Sequence, residues 1–141
     1  MINQIAHVCI GSLDLDDTLR FYCEGLGFRK VFDFKRDGNL VGYYLGVTDS
    51  TYVEVFRMDE VDIQAKSPVR HFCLEVDSID DISRPLTEAG YEVTEKKLGA
   101  DESWQAWVTD PTGIRIEFQN TQTRALRSRV KTASSVDIPS S

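Results

Sequence analysis

The string HVCI at residues 7–10 returns as HFCL at residues 71–74, with the His and the Cys each displaced by 64 positions. The displacement persists along the chain. Gly27-Phe28 and Gly90-Tyr91 close two helical stretches 63 residues apart, and TYVEVF around Glu54 and IRIEFQ around Glu117 repeat with the same spacing of 63. Self-similarity at a fixed period means that one supersecondary unit occurs twice, which constrains the architecture more tightly than composition does.

Within each copy the order is a short β-rich run (IAHVCI; RHFCLEV), an amphipathic helix, and a longer segment of strand composition broken by turns. Asp14 and Ser78 supply helix-capping side chains. The first helix carries Leu15, Leu19, Tyr22 and Leu26 at spacings of three or four, and the second carries Ile79, Ile82, Leu86 and Ala89, so each has one face for packing on a sheet. Pro85 inside the second predicts a kink or a delayed start. The fold class is therefore α+β, a tandem βαβββ arrangement. Its modules are residues 1–60 and 68–120 of one domain, 1–120, joined by the polar stretch DEVDIQAKSP. Asp110-Pro111-Thr112-Gly113 reads as a turn before the last strand. Residues 121–141 lose the alternation, are rich in Ser and Thr, and read as a basic, mobile tail.

Composition narrows the function classes. At 141 residues, 41% hydrophobic and 28% charged, the chain has enough core to need no disulfide or structural metal. The net charge of −7 becomes −10 for residues 1–120 once the basic tail is set aside, and an acidic domain is a poor partner for a phosphate backbone. The three cysteines are odd in number and form no CxxC pair, and no long apolar run marks a leader or a membrane span. Neither nucleic acid nor a membrane is expected as a partner. The reading is a cytoplasmic protein with reduced thiols that acts on a small molecule.

The chain has only two histidines, and both hold the same place in the repeat. Pseudo-twofold pairing of the modules would bring His7, Glu54, His71 and Glu117 toward one axis, a set of two imidazoles and two carboxylates suited to a divalent ion. Imidazole suits Zn, Ni, Fe and Cu and carboxylate extends the range toward Mn, so the set limits the metal without naming it; Zn or Ni is expected first, with Mn, Co or Fe after them. The same-face neighbours of Glu54 are Tyr52 and Phe56, and the other face has Val53 and Val55, so this strand is expected to be covered on both sides. His7 and His71 are likewise expected among apolar groups. Cys9 and Cys73 point the same way as their histidines and read as small core filler.

These motifs carry a resemblance. HVCI, FYCEGLGF, YVEVF, RHFCLEV and DPTGIRIEF resemble the vicinal oxygen chelate superfamily, which includes glyoxalase I, fosfomycin-resistance proteins, methylmalonyl-CoA epimerase and extradiol dioxygenases. The resemblance spans residues 2–120 and implies half-barrel modules and a homodimer. The set His7, Glu54, His71 and Glu117 is most similar to the ligand pattern of glyoxalase I. Two positions depart from it. Where the bacterial enzymes place an Arg and an Asn that help to hold glutathione, this chain has Gly11 and Met58.

The reaction implied is a metal-dependent isomerisation or lyase step on a small α-hydroxycarbonyl compound, with the ion acidifying a C–H between two vicinal oxygens. Glu117 or Glu54 would move the proton, Glu117 being favoured. Arg115 shares the face of Glu117, and Trp104, Trp107, Tyr52 and Phe56 are candidates for an apolar lining. Two alternatives stand beside this reading. One is extradiol-type oxygen chemistry at Fe(II), which a fourth protein ligand disfavours, and the other is a non-catalytic drug-binding protein.

Overall fold

The computed structural model describes residues 1–60, 67–121 and 135. In chain order the elements are β1 (His7–Ser12), α1 (Leu15–Leu19), β2 (Arg29–Arg36), β3 (Asn39–Gly46), β4 (Tyr52–Arg57), β5 (Phe72–Glu75), α2 (Ile79–Glu88), β6 (Lys97–Leu98), β7 (Trp104–Thr109) and β8 (Arg115–Asn120). This is βαβββ twice, as the duplication predicts. The sheets run β1-β4-β3-β2 and β5-β8-β7-β6. In each, the first strand of the module lies parallel to the last, and the remaining pairs are antiparallel. A parallel pair needs a crossover between its strands, and the helix and hairpin of each module supply it.

The chain divides into two compact units. The first is Met1–Pro68 with Asp110–Gly113, and the second is Val69–Thr109 with the chain from Ile114 onward. The tail and most of the linker lie outside the described residues.

Strand alternation explains the core of the first unit. Ile10, Tyr43, Leu45, Val53 and Val55 are buried on one face of the sheet. That face holds α1: the Tyr43 hydroxyl donates to the Leu15 carbonyl at 2.7 Å, and the Ser12 and Thr18 hydroxyls pair at 2.6 Å. Asp14 caps the helix by accepting from the Asp16 and Asp17 amides, both at 3.0 Å. In the second unit, Ala106, Val108, Ile116 and Phe118 are buried together with Ile79 and Leu86 of α2, and the Ser78 hydroxyl accepts from the Asp81 amide.

The helices differ from expectation in two respects. Only Leu15–Leu19 is α-helical, and Arg20–Gly25 is a π-helix; its wider turn keeps Phe21, Tyr22 and Gly25 all buried. Pro85 neither delays nor ends α2, which starts at Ile79 and continues to Glu88. Pro85 is exposed and, lacking an N–H, removes one backbone hydrogen bond from the helix.

The turn Asp110–Gly113, although it links β7 to β8, belongs to the first unit. Buried Asp110 accepts from the Tyr22 hydroxyl at 2.8 Å and from the Thr112 and Gly113 amides at 2.9 Å, while Thr112 Oγ1 accepts from the Leu13 amide. Burial, reinforced by the Asp110 carboxylate, drives the Tyr22 phenol far above its ordinary pKa. Among the described residues, no helix is long and apolar enough to cross a membrane.

Candidate functional site

In the second unit the parallel pairing sets Cys73 opposite Glu117, and the antiparallel pairing sets Trp107 opposite Glu117. Partners in register share a face. These side chains therefore project from the face away from the Ile116 and Phe118 core, together with His71, two residues before Cys73. His71 Nε2 lies 3.1 Å from Glu117 Oε2. Glu117 is buried at 8% exposure, whereas His71 is exposed. Trp107 meets the His71 ring edge-on, with centroids 4.6 Å apart. The Arg115 guanidinium lies over the same indole at 4.4 Å.

The first unit repeats the scaffold with different chemistry. Cys9 and Tyr44 are the register partners of Glu54, and Tyr52 is that of His7. Burial, with the Glu54 carboxylate beside it, pushes the Cys9 thiol pKa up. His7 meets Tyr44 edge-on at 6.0 Å. Phe32, Tyr44 and Tyr52 stack in succession at 4.9 Å across three strands, and Phe34 stacks on Phe56 at 4.7 Å. The result is a ladder of rings standing on the open face of the sheet, with Phe32 at its outer end 46% exposed.

The four residues singled out in the sequence thus fall two and two. His71 and Glu117 are brought together, while among the described residues no hydrogen bond or ion pair joins His7 to Glu54. Nor do three His, Cys, Asp or Glu side chains gather among the described residues to hold an ion by themselves. The donor chemistry of the second-unit pair nevertheless suits a divalent ion. A buried carboxylate beside an imidazole nitrogen is a common N/O pair for such ions, and His71 and Glu117 would be the residues to hold one.

Three expectations need correction. Glu54 is not covered on both sides, since only the Val53 and Val55 side is buried. His7, His71, Cys9 and Cys73 are exposed rather than packed among apolar groups, so the two thiols are not core filler; they sit on the open faces beside the glutamates because strand parity puts them there. The sulfur of Cys73 is still shielded enough that desolvation, with the Glu117, Asp101 and Glu75 charges, pushes its pKa up to about 12. Finally, Trp104 does not share the face of Trp107. It is one of the opposite-parity residues of β7 and lies under Lys96, whose ammonium is 5.3 Å from the ring.

Gly11 and Met58 are neighbours, and a Cβ added at Gly11 would meet the Met58 sulfur. The two positions therefore present a thioether and bare backbone where an Arg and an Asn were the expected donors. A cleft of about 460 Å³ in the first unit is lined by residues such as Asp16, Cys23 and Lys30 and by none of the four candidates. The ring ladder and the Tyr22–Asp110 bond were not anticipated from the sequence. The ladder had a signal, because Tyr44 and Tyr52 precede Trp107 and Arg115 by the repeat distance of 63.

Residues 4–118 match the family model of the Glyoxalase/Bleomycin resistance protein/Dioxygenase superfamily. The chain belongs to this superfamily. It includes many enzymes, often dependent on divalent metals, and also non-catalytic resistance proteins. Superfamily structures of similar fold include the glyoxalase family protein of Enterococcus faecalis, 24% identical with a TM-score of 0.70, covering 82% of this chain and 96% of that one. A glyoxylase/bleomycin resistance protein/dioxygenase domain from Frankia is 18% identical with a TM-score of 0.71, covering 88% and 96%. An antibiotic binding protein from Streptomyces is 21% identical with a TM-score of 0.66, covering 86% and 98%. No curated protein matches the sequence significantly.

Proposed function

We propose that the protein is a divalent-metal-dependent isomerase or lyase of glyoxalase type, acting in the cytoplasm as a homodimer on a small molecule with two vicinal oxygens. The observation that carries this reading is the His71 Nε2 to Glu117 Oε2 separation of 3.1 Å, with His7 and Glu54 at the repeat-related positions of the other unit. His71 and Glu117, with His7 and Glu54, would hold the ion, Zn or Ni before Mn, Co or Fe. The ion supplies positive charge that polarises the substrate oxygens and lowers the pKa of the C–H between them.

The remaining work falls to the protein. Glu117 takes the proton and returns it to the neighbouring carbon, because it is the candidate carboxylate that a histidine holds in place, at 3.1 Å. His71 orients that carboxylate, and Trp107 limits the water around the pair through its edge contact with His71. Gly11 and Met58 offer no N–H fork to a tripeptide carboxylate, which supports a substrate other than a glutathione hemithioacetal.

The test is elemental analysis of wild type beside His71→Ala, followed by turnover of methylglyoxal hemithioacetals and of simple hydroxycarbonyl compounds with Ni, Co, Zn and Mn. About one equivalent of metal per chain in wild type, lost in the variant, is expected. Protein that stays metal-free after Ni and Zn are offered would overturn the proposal. The ring ladder of the first unit favours a second reading, sequestration of a planar drug or metabolite, which predicts ligand binding that is unchanged by chelators.

A further inference from the structure

Arg115 of the second unit has no carboxylate partner among the described residues. Arg115 follows the turn into β8, two residues before Glu117, and so shares the open face. Its guanidinium is laid on the Trp107 indole at 4.4 Å, and the same indole meets His71 at 4.6 Å. Among the described residues it forms no ion pair, although residues 1–120 carry a net charge of −10. The Asp101 carboxylate of the same unit is engaged elsewhere, accepting from the Ser103 hydroxyl at 2.6 Å and from Gln119 Nε2 at 2.8 Å.

The first unit shows that packing does not demand this cation. At the repeat-related positions Tyr52 stacks on Tyr44 at 4.9 Å, so a neutral ring fills the same place. A guanidinium held over an indole, with no hydrogen bond spent on another side chain, keeps its N–H fork available, and that fork recognises a carboxylate or phosphate bidentately. We propose that Arg115, positioned by Trp107, is a specificity-determining anchor for an oxyanion on the substrate, so that the substrate carries a carboxylate or phosphate close to its vicinal oxygens. The vicinal-oxygen part rests on the proposed function; the anion anchor does not.

The experiment is calorimetric titration of full-length protein, metal-free and Zn-loaded, with lactate, 2-phosphoglycolate and neutral hydroxyacetone, while the Trp107 indole N–H resonance is followed by NMR. In wild type at least one of the two anionic probes is expected to bind about tenfold or more tightly than hydroxyacetone and to move the Trp107 resonance. The tighter anion names the group. Arg115→Gln should abolish the preference, and Arg115→Lys should keep only part of it, because charge remains and the planar fork is lost. An anion preference that survives Arg115→Gln overturns the proposal, as does equal binding of all three probes by wild type. An Arg115-dependent preference in protein that takes up no metal would sustain this inference while the metal-dependent reading fails. Metal uptake without any anion preference would do the reverse.

Discussion

Tyr44 and Tyr52 in the first unit stand where Trp107 and Arg115 stand in the second, and in both units the first of the pair meets the local histidine edge-on. On the helix sides the two units are close to interchangeable: Leu45, Val53 and Val55 correspond to Val108, Ile116 and Phe118, and all six are buried. On the open faces they part company. Gly42 and Phe56 correspond to Gln105 and Gln119, so one face is a ladder of rings and the other carries amides and a guanidinium. Close packing against a helix tolerates only apolar groups of fitting volume, whereas side chains on the opposite face of the same sheet can differ between the units without changing the strand register. The retained His, Cys and Glu on both faces are thus the part of the open side that did not diverge.

The largest effects should fall on the retained residues. Glu117→Gln keeps the volume and a hydrogen-bonding group beside His71 but removes the base, and should lower turnover by Zn- or Ni-loaded protein by about 100-fold or more. Glu54→Gln should lower it less. A larger loss from Glu54→Gln would move proton transfer to the first unit and break the assignment made from the His71–Glu117 contact.

The helix-side likeness is tested by stability. Phe118→Ala should cost about 3–5 kcal/mol by urea denaturation, and Val55→Ala at the matching position less, in proportion to the smaller volume removed. Comparable costs from Tyr44→Ala and Trp107→Ala would show that the open faces are as tightly constrained as the cores. A smaller effect belongs to the bond unique to the first unit. Tyr22→Phe removes the donor to Asp110, which keeps two backbone donors, and should cost about 1–2 kcal/mol. The folded protein holds the Tyr22 proton far above the ordinary value near 10, while the unfolded chain releases it there. Stability contributed by Tyr22 is therefore complete below about pH 10 and falls as pH rises beyond it. The wild-type decline between pH 9 and 11 should be steeper than that of Tyr22→Phe.

The order of elements was legible because two independent periods agreed: the repeat near 63 and the local alternation of residues such as Val53, Glu54 and Val55. The π-helix at Arg20–Gly25 was not, since apolar spacing alone does not separate a 3.6-residue turn from a wider one when both bury Phe21 and Tyr22. Pro85 does not delay α2, because the capping Ser78 sets the start at Ile79, six residues before the proline. For the site, parity pairs His71 with Cys73 and Arg115 with Glu117, and it is the register of β5, β8 and β7 that sets these residues and Trp107 on one face. Parity gives the face and not its cover, so the exposure of Cys9, Cys73 and both histidines could not be read from apolar neighbours in sequence. Trp104 was grouped with Trp107 by residue type, although an odd separation of three puts them on opposite faces.

The smallest effect is the most discriminating. The exchange Tyr52→Arg with Arg115→Tyr swaps the two partners between aromatic platforms, giving a guanidinium on Tyr44 and a ring on Trp107. Cation–π and ring–ring contacts at exposed sites are each worth about 0.5–1 kcal/mol, so the two changes should nearly cancel and the urea midpoint should move little. If the open faces differ only in packing, nothing else changes either. If the difference is chemical, binding of lactate or 2-phosphoglycolate should no longer shift the Trp107 indole resonance, while the far-ultraviolet circular dichroism and the urea midpoint stay those of wild type. A loss of more than about 2 kcal/mol on exchange would mean that the two faces had each been packed around their own partner, and that the units are less alike than their common register implies.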